Sequence, residues 1–356
     1  MSGCRFMYQN LIWGPEALNL SSARPGLVGL PVPRAQGSAV AYAQGLHQGP
    51  RDQVFRLEID SLAQGAGVGQ ATFRWQRADS PAWEASGVPT GVAVRGLADG
   101  VEVKWVSGQG QDFFLGDSWT ILAGRNFGPA ALLDSDRDTV WESLGCQEEW
   151  IDIDLGRELR ATALILADHN LGEAGLARLL ADAEADWEQP DFALDLQINR
   201  PHLAIFMDQS FRHWRLALSD TGNPEGALKA GGLYLGGHFE PSRTFSSQYQ
   251  RGWAASRSLT FTDAGKQAGS ARALAQSWSL AFSGLSEDDM AGFEAMFRAI
   301  HDVDQGRLNP LWFTPFGDRP AQTIYCLPGE SLAPSHIYQD RYGLNLSLQE
   351  MVRSHV

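Results

Sequence analysis

The stretch WESLGCQEEWIDIDLG, residues 141–156, decides the fold prediction for this chain. Residues 149–154 alternate in character with a period of two, which is typical of a β-strand with one buried face. Gly156 is expected to end that strand, because glycine adopts backbone conformations that other residues avoid. Four tryptophans in strand-like patterns are predicted core residues: Trp141, Trp150, Trp214 and Trp278.

Length and charge limit the classes of function. A chain of 356 residues is long enough for two or three domains. Its net charge of −14, from 42 acidic and 28 basic residues, argues against a nucleic-acid-binding surface and against docking on anionic lipid. The sequence has neither a transmembrane-length apolar stretch nor a signal peptide, and its three cysteines form no CxxC pair. We therefore expect synthesis in a reducing cytoplasm, no membrane insertion and no cofactor.

Residues 37–123 contain five or more short alternating runs separated by glycine-containing turns. Val101–Trp105 and Ser118–Leu122 are two examples, and no helical period competes with them. Strands of this length and spacing predict a β-sandwich.

The opening stretch follows a dense acidic turn, residues 134–139, and ends in W-I-x-I-D-L-G. An acidic turn, a tryptophan and this strand together resemble the discoidin-like (coagulation factor 5/8 type C) β-sandwich. The resemblance implies such a domain over residues 124–241, with its opening strand or strands in residues 1–36. The sandwich at 37–123 is then either inserted into the discoidin-like domain or follows in a linear arrangement.

Residues 242–356 predict an α+β unit with one amphipathic helix. Ser286 and Asp289 have the spacing of a capping box at its start, and Met290, Phe293, Phe297 and Ile300 form the apolar stripe. The segments WSLAF, LSEDD and GRLNPLWFTP resemble the distal-tail and tail-tube proteins of long-tailed bacteriophages, which pack side by side into rings. The predicted fold class is thus mainly β: two β-sandwiches, one of them discoidin-like, and this C-terminal α+β unit.

Candidate sites are few. Asp134, Asp136 and Asp138 have the D-x-D-x-D spacing of a calcium loop, although Thr139 stands where an EF-hand needs glycine. Asx turns explain the same run, so a metal site and a structural turn both stay open. Trp83 and Trp187 lie in polar, turn-like contexts and are the candidate aromatic residues for ligand binding.

No catalytic constellation is recognisable. The pair His169–Asn170 has no second histidine at metal-ligand spacing, and neither H-E-x-x-H nor G-x-S-x-G occurs. We therefore expect a protein that is not an enzyme.

The resemblances imply a structural component of a phage tail tip or baseplate. Such a protein would assemble into a homo-oligomeric ring with other tail or baseplate proteins, reside in the virion tail, and be assembled in the host cytoplasm. It would also display a carbohydrate-binding module toward a host surface glycan. The alternative is a monomeric carbohydrate-binding protein or adhesin that recognises a surface polysaccharide. Sequence-specific nucleic acid is not an expected partner of either.

Overall fold

The structure is a computed structural model that describes residues 3–49, 51–135, 139–261, 267–304 and 306–352, with the backbone alone for those between 256 and 273. Strands take up 49% of the chain. This confirms the predicted fold class, a mainly β protein built of sandwiches and an α+β unit. Within the described ranges, no helix has the length and apolar character needed to span a membrane.

The described residues form 26 strands and one α-helix. The first strands are β1 Arg5–Met7, β2 Leu18–Leu20, β3 Gly26–Leu27, β4 Val32–Arg34, β5 Val40–His47, β6 Gln53–Ser61, β7 Thr72–Arg77, β8 Ala85–Pro89, β9 Arg95–Gly96, β10 Val101–Val106 and β11 Ser118–Ala123. Next come β12 Trp141–Glu142, β13 Glu149–Ala167, β14 Leu176–Asp182, β15 Phe192–Leu196, β16 His202–Ser219, β17 Lys229–Ala230 and β18 Gly232–Gly236. The last are β19 Gln250–Phe261, β20 Gln267–Leu285, α1 Glu287–Ile300, β21 His301–Asp302, β22 Arg307–Leu308, β23 Leu311–Thr314, β24 Ile324–Pro328, β25 Ser335–Tyr338 and β26 Arg341–Glu350.

The chain divides into two compact units. One combines residues 1–22 with 129–356, and the other consists of residues 23–128. Along the sequence, the smaller unit therefore stands between two segments of the larger one. A further division of the larger unit at residue 241 stays a prediction.

The smaller unit is a sandwich of two antiparallel sheets, in the orders β3-β5-β10-β9 and β4-β11-β6-β7-β8. On β10, Val101, Val103 and Trp105 are buried while the residues between them are not. The Trp105 ring lies 4.5 Å from that of Phe73 and 6.0 Å from that of Trp119, measured between ring centres. Alternation in both sheets thus supplies one aromatic core between them.

In the larger unit, the central sheet has the order β15-β14-β16-β13-β18, and β2 also pairs with β13. β14 covers part of a segment, residues 172–186, whose composition is compatible with either a helix or a strand. Its pairing with β16 over seven residues makes it a strand. Tertiary pairing, rather than local propensity, decided the outcome.

Three of the four predicted core tryptophans are confirmed, since Trp141, Trp214 and Trp278 are at most 3% exposed. The prediction for Trp150 is wrong. Ile151 and Ile153 occupy the buried face of β13, so Trp150 lies on the opposite face, half-buried, beside Asp152. Successive side chains of a strand point to opposite faces, and only one face of this alternating run is core.

Gly156 does not end the strand, which continues to Ala167. It has a positive φ of 74°, and the pairing of β13 with β16 shifts register between Asp154 and Leu159. The backbone N–H of Gly156 donates to Asp154 Oδ1 at 2.7 Å. The glycine therefore forms a bulge that bends one long strand.

Side-chain hydrogen bonds hold β2 against β13. Both serine hydroxyls that follow β2, those of Ser21 and Ser22, donate to the buried carboxylate of Glu149, the latter at 2.6 Å. The Trp141 indole N–H donates to the Ser22 carbonyl at 2.9 Å. Glu149, one of the acids of the opening stretch, is therefore a buried hydrogen-bond acceptor.

The second sheet of the larger unit has the order β1-β23-β24-β26-β20-β19, with β25 beside β26. Ser286 caps α1 as predicted: its hydroxyl accepts from Asp289 N, and the Asp289 carboxylate accepts from Ser286 N. The buried stripe of the helix contains Met296 where the sequence predicted Phe297, which is only half-buried. The helix packs its apolar face into a core with β20 and β26.

Candidate functional site

The two candidate aromatic residues lie in different units. Trp187 is half-buried in the loop between β14 and β15, and Trp83 is half-buried in the turn between β7 and β8. Each stands beside an arginine that is paired with a carboxylate.

The Trp187 cluster consists of Trp150, Asp152, Trp187 and Arg215. The Arg215 guanidinium carbon lies 4.5 Å from the centre of the Trp150 ring and 4.8 Å from that of Trp187. Both distances are within the range of cation–π contact. Arg215 also donates from Nε and Nη2 to the two oxygens of Asp152, at 2.5 and 2.7 Å.

The register of the central sheet produces this arrangement. Asp152 on β13 is directly opposite Arg215 on β16, and Trp150 is opposite Ala217. The small Ala217 side chain leaves room beside the indole, and the loop after β14 brings Trp187 over the same face. Because a bidentate carboxylate fixes the guanidinium plane, the orientation of Arg215 is set before any ligand arrives.

A groove of about 610 Å³ runs along this face, and we call it the Trp187 groove. Its lining includes Trp150, Trp187 and Arg215 of the cluster, together with Arg178 and Leu180 of β14. Its volume is that of a small-molecule site, and it combines apolar rings with a few oriented polar groups.

The loop that carries Trp187 is held by its own side chains. Asp182 accepts from the backbone N–H groups of Glu184 and Asp186, at 2.6 and 3.1 Å. The hydrogen bonds from Asp186 and then Glu184 hold the pKa of Asp182 below its usual value. Ala185 takes a positive φ of 64° within this turn, a conformation unfavourable for a residue with a Cβ. The loop is thus a specific structure that places the indole.

The Trp83 cluster consists of Arg56, Glu58, Arg74 and Trp83. The Arg74 guanidinium lies 4.2 Å from the Trp83 ring centre, and that of Arg56 lies 5.9 Å from it. Both arginines donate through Nη2 to Glu58, at 2.6 Å from Arg74 and 3.3 Å from Arg56. The Glu58 carboxylate therefore pairs with both arginines, and both guanidinium groups lie within cation–π distance of the Trp83 ring.

The calcium candidates are only partly described. Asp134 Oδ1 accepts from the Thr139 hydroxyl at 2.7 Å, as expected of a structural turn. Asp136 and Asp138 lie outside the described residues. Within the described part of the chain, no group of three or more His, Cys, Asp or Glu residues is placed to hold a metal ion.

The His169–Asn170 pair has structural contacts. His169 Nε2 donates to the Asn199 carbonyl at 2.9 Å, and burial lowers the pKa of this histidine. Asn170 bonds the backbone of Ala227 and Lys229. These contacts fix loops at the end of the central sheet.

Sequence reasoning missed three of the four members of the Trp187 cluster. The period-two alternation contained the signal for two of them, since it places Trp150 and Asp152 on one face. No local pattern indicated Arg215, which lies 63 residues beyond Asp152 in the sequence.

The structure so far defines a mainly β protein with an aromatic groove on a sheet face. No model of a known protein family matches the chain, and no curated protein matches it. Parts of the chain are similar to solved structures, among them a chitosan-binding module of a Paenibacillus sp. IK-5 chitosanase/glucanase (16% identity, TM-score 0.26, 31% of this chain, 86% of that one). Others are a Streptococcus pneumoniae fucose-binding module (8%, 0.25, 30% and 81%) and a Clostridium perfringens module in complex with GalNAc-β-1,3-galactose (11%, 0.25, 31% and 84%). TM-scores this low carry no argument about function.

Proposed function

We propose that the protein binds carbohydrate, through the Trp187 groove of a discoidin-like module. The observation that carries the proposal is the position of Arg215 between Trp150 and Trp187, fixed by both oxygens of Asp152. The proposed activity is recognition, without chemical conversion of the ligand.

The chemistry of the groove suits a sugar ring. Pyranose rings present apolar C–H faces, which pack on indole rings, and hydroxyl groups, which need hydrogen-bond partners. A guanidinium has five N–H donors, and Asp152 uses two of those on Arg215. Three donors are therefore available in a plane that is already set, next to two aromatic surfaces.

The test is a glycan array followed by titration calorimetry on the full chain. Trp187→Ala is expected to weaken binding on the order of tenfold, because a stacking surface is lost. Trp83→Ala is the matched control, since it removes an indole from a similar arginine–carboxylate cluster and should leave affinity unchanged. Equal affinities of wild type and Trp187→Ala would overturn the assignment of the site.

We also propose a second function, assembly into a symmetric ring as part of a phage tail tip or baseplate, located in the virion tail. A long hairpin supports it. β19 lies at the edge of its sheet, and β26 pairs with β20 only from Ser277 to Leu285. The hairpin from Gln276 outward thus has no third strand among the described residues, and an unpaired edge of this length is a template for another chain.

Exposed apolar side chains on the hairpin favour the same function. Trp253 and Leu274, each 56% exposed, are diagonal neighbours on one face, because Trp253 pairs with Gln276 and Ala255 pairs with Leu274. Between residues 250 and 278 the sequence has four basic residues and one acidic residue, in a chain of net charge −14. A basic, apolar hairpin is complementary to the acidic surface of a second copy.

Light scattering and negative-stain microscopy test this assembly. Wild type should form closed rings, whereas Trp253→Glu should shift the population to monomer, since it buries a charge in the interface. Leu308→Glu is the control, because Leu308 is also exposed (51%) but lies away from the hairpin on β22. A wild-type protein that stays monomeric at every concentration would leave only the carbohydrate-binding function.

A further inference from the structure

We propose that the Trp187 groove selects glycans that carry protonated amino groups over neutral ones, and rejects glycans that carry carboxylate or sulfate groups. The inference rests on the proposed carbohydrate binding. It follows from a juxtaposition within the groove, where both lining arginines are neutralised by carboxylates but the lining Glu148 has no base beside it.

The arginines are already paired. Arg215 is bound bidentately by Asp152, and the Arg178 Nε lies 3.3 Å from Asp195 Oδ1. An anionic sugar would have to displace one of these carboxylates or accept a position beside it. Like charges placed side by side in a partly desolvated groove repel, so the arginines do not make the groove an anion site.

The carboxylate of Glu148 is not balanced in this way. The neighbouring Glu149 lies on the opposite, buried face of β13, where its carboxylate accepts from the hydroxyls of Ser21 and Ser22. Glu148 is exposed and, among the described residues, has neither a hydrogen bond nor an ion pair through its carboxylate. Glu148 lines the end of the groove next to Trp150. That end therefore has uncompensated negative charge beside an aromatic ring, which is the environment that an ammonium group prefers.

The loop that closes the groove adds to this field. Residues 182–195 contain six acidic residues and no basic one. Trp187 lies in the middle of this segment, flanked by Asp186 and Glu188, whose side chains are exposed. A positively charged ligand would thus be attracted from solution as well as held in the groove, and its binding should weaken as salt screens the field.

Calorimetry with three oligosaccharides of equal length tests the inference on the full chain. The probes are a glucosamine oligomer, its fully N-acetylated counterpart, which has the same backbone without the charge, and an oligogalacturonate. We expect the amine-bearing oligomer to bind tightest and to lose affinity with added salt, the N-acetylated oligomer to bind independently of salt, and the oligogalacturonate to bind weakest.

Glu148→Gln sharpens the test, because it removes the charge and keeps the shape. It should weaken the glucosamine oligomer roughly two- to fivefold and leave the N-acetylated oligomer unchanged. Glu294→Gln, on the exposed side of α1, is the matched control and should change neither affinity.

The outcomes separate this inference from the function on which it rests. If none of the three oligosaccharides and no array glycan binds, the proposed carbohydrate binding fails. If oligogalacturonate binds as tightly as the amine, or if Glu148→Gln has no more effect than Glu294→Gln, the charge preference is wrong while carbohydrate binding stands.

Discussion

The Trp187 cluster and the Trp83 cluster are built from the same three chemical groups, an indole, a guanidinium and a carboxylate, in two different sheets. In the Trp187 cluster one arginine lies between two indoles and holds one carboxylate with two hydrogen bonds. In the Trp83 cluster one indole and one carboxylate serve two arginines. The Trp187 cluster thus has two rings for one arginine, whereas the Trp83 cluster has one ring for two arginines. Under the proposed function, this ratio of the groups, rather than their identity, distinguishes the cluster that binds a ligand.

The largest expected difference between the clusters is in stability. Asp152→Ala should lower the free energy of unfolding by about 2 kcal/mol, because it leaves Arg215, only 20% exposed, without its charge-assisted hydrogen bonds. Glu58→Ala should cost roughly 1 kcal/mol or less, since Arg56 and Arg74 are 54% and 36% exposed and water replaces their partner. Urea denaturation measures both. Equal losses of unfolding free energy would mean that the two carboxylates stabilise the fold to the same extent, which would contradict the expected difference between the clusters.

Two residues with positive φ, each close in sequence to one of the indoles, give smaller effects. Ala185 in the Trp187 loop has a φ of 64°, and Gly87 on β8, after the Trp83 turn, has a φ of 67°. Ala185→Gly should raise the free energy of unfolding by roughly 0.5–1 kcal/mol, because strain in the left-handed region is relieved. Gly87→Ala should lower it by a similar amount, and through the backbone alone, since an added Cβ meets nothing within 4 Å.

The same denaturation curves check this pair of substitutions. A loss of stability in Ala185→Gly would show that the Trp187 loop is not strained. Calorimetry on that variant adds a second reading, since a loop that relaxes should also hold Trp187 less firmly and bind glycan more weakly.

The smallest expected effect is a dependence of stability on pH that arises in the Trp187 loop. Backbone hydrogen bonds from Asp186 and Glu184 keep the pKa of Asp182 low in the folded protein. The carboxylate therefore contributes stability above the pKa it has when unfolded, and that contribution is lost as pH falls through the folded value. Asp182→Asn, which keeps an acceptor but cannot titrate, should remove this part of the acid destabilisation. Identical pH profiles for the two proteins would contradict this role of Asp182.

Features that depend on residues close in sequence could be predicted from the sequence, whereas features that depend on distant contacts could not. The helix α1 was predicted with its cap because Ser286 and Asp289 are three residues apart and bond each other. The strand of the opening stretch was predicted too, but not which face of it is buried, because Trp150 and Ile151 are both apolar. Only the sheet decides, by placing Ile151 against the core and Trp150 under the Trp187 loop.

Of the four residues in the Trp187 cluster, the sequence identified only Trp187 as a candidate for ligand binding. Trp187 was identified from its polar, turn-like surroundings, whereas its proposed role also depends on Arg215 and Asp152, which the register of β13 and β16 brings together. Cross-strand partners that are 63 residues apart leave no local signature. The calcium interpretation of Asp134, Asp136 and Asp138 stays a prediction alongside the structural turn.

The hydrogen bonds from Ser21 and Ser22 to Glu149 join two segments that are synthesised at different times. β2 is synthesised before residues 23–128, and its partner β13 is synthesised only after them. The smaller unit is contiguous in sequence, so it can fold into its own sandwich before β13 is available to pair with β2. Once folded, a compact unit holds the ends of its chain near one another far better than an unfolded segment of equal length, which makes the later closure of β2 onto β13 less costly in entropy. Folding of residues 23–128 is therefore expected to lower the entropy cost of pairing β2 with β13.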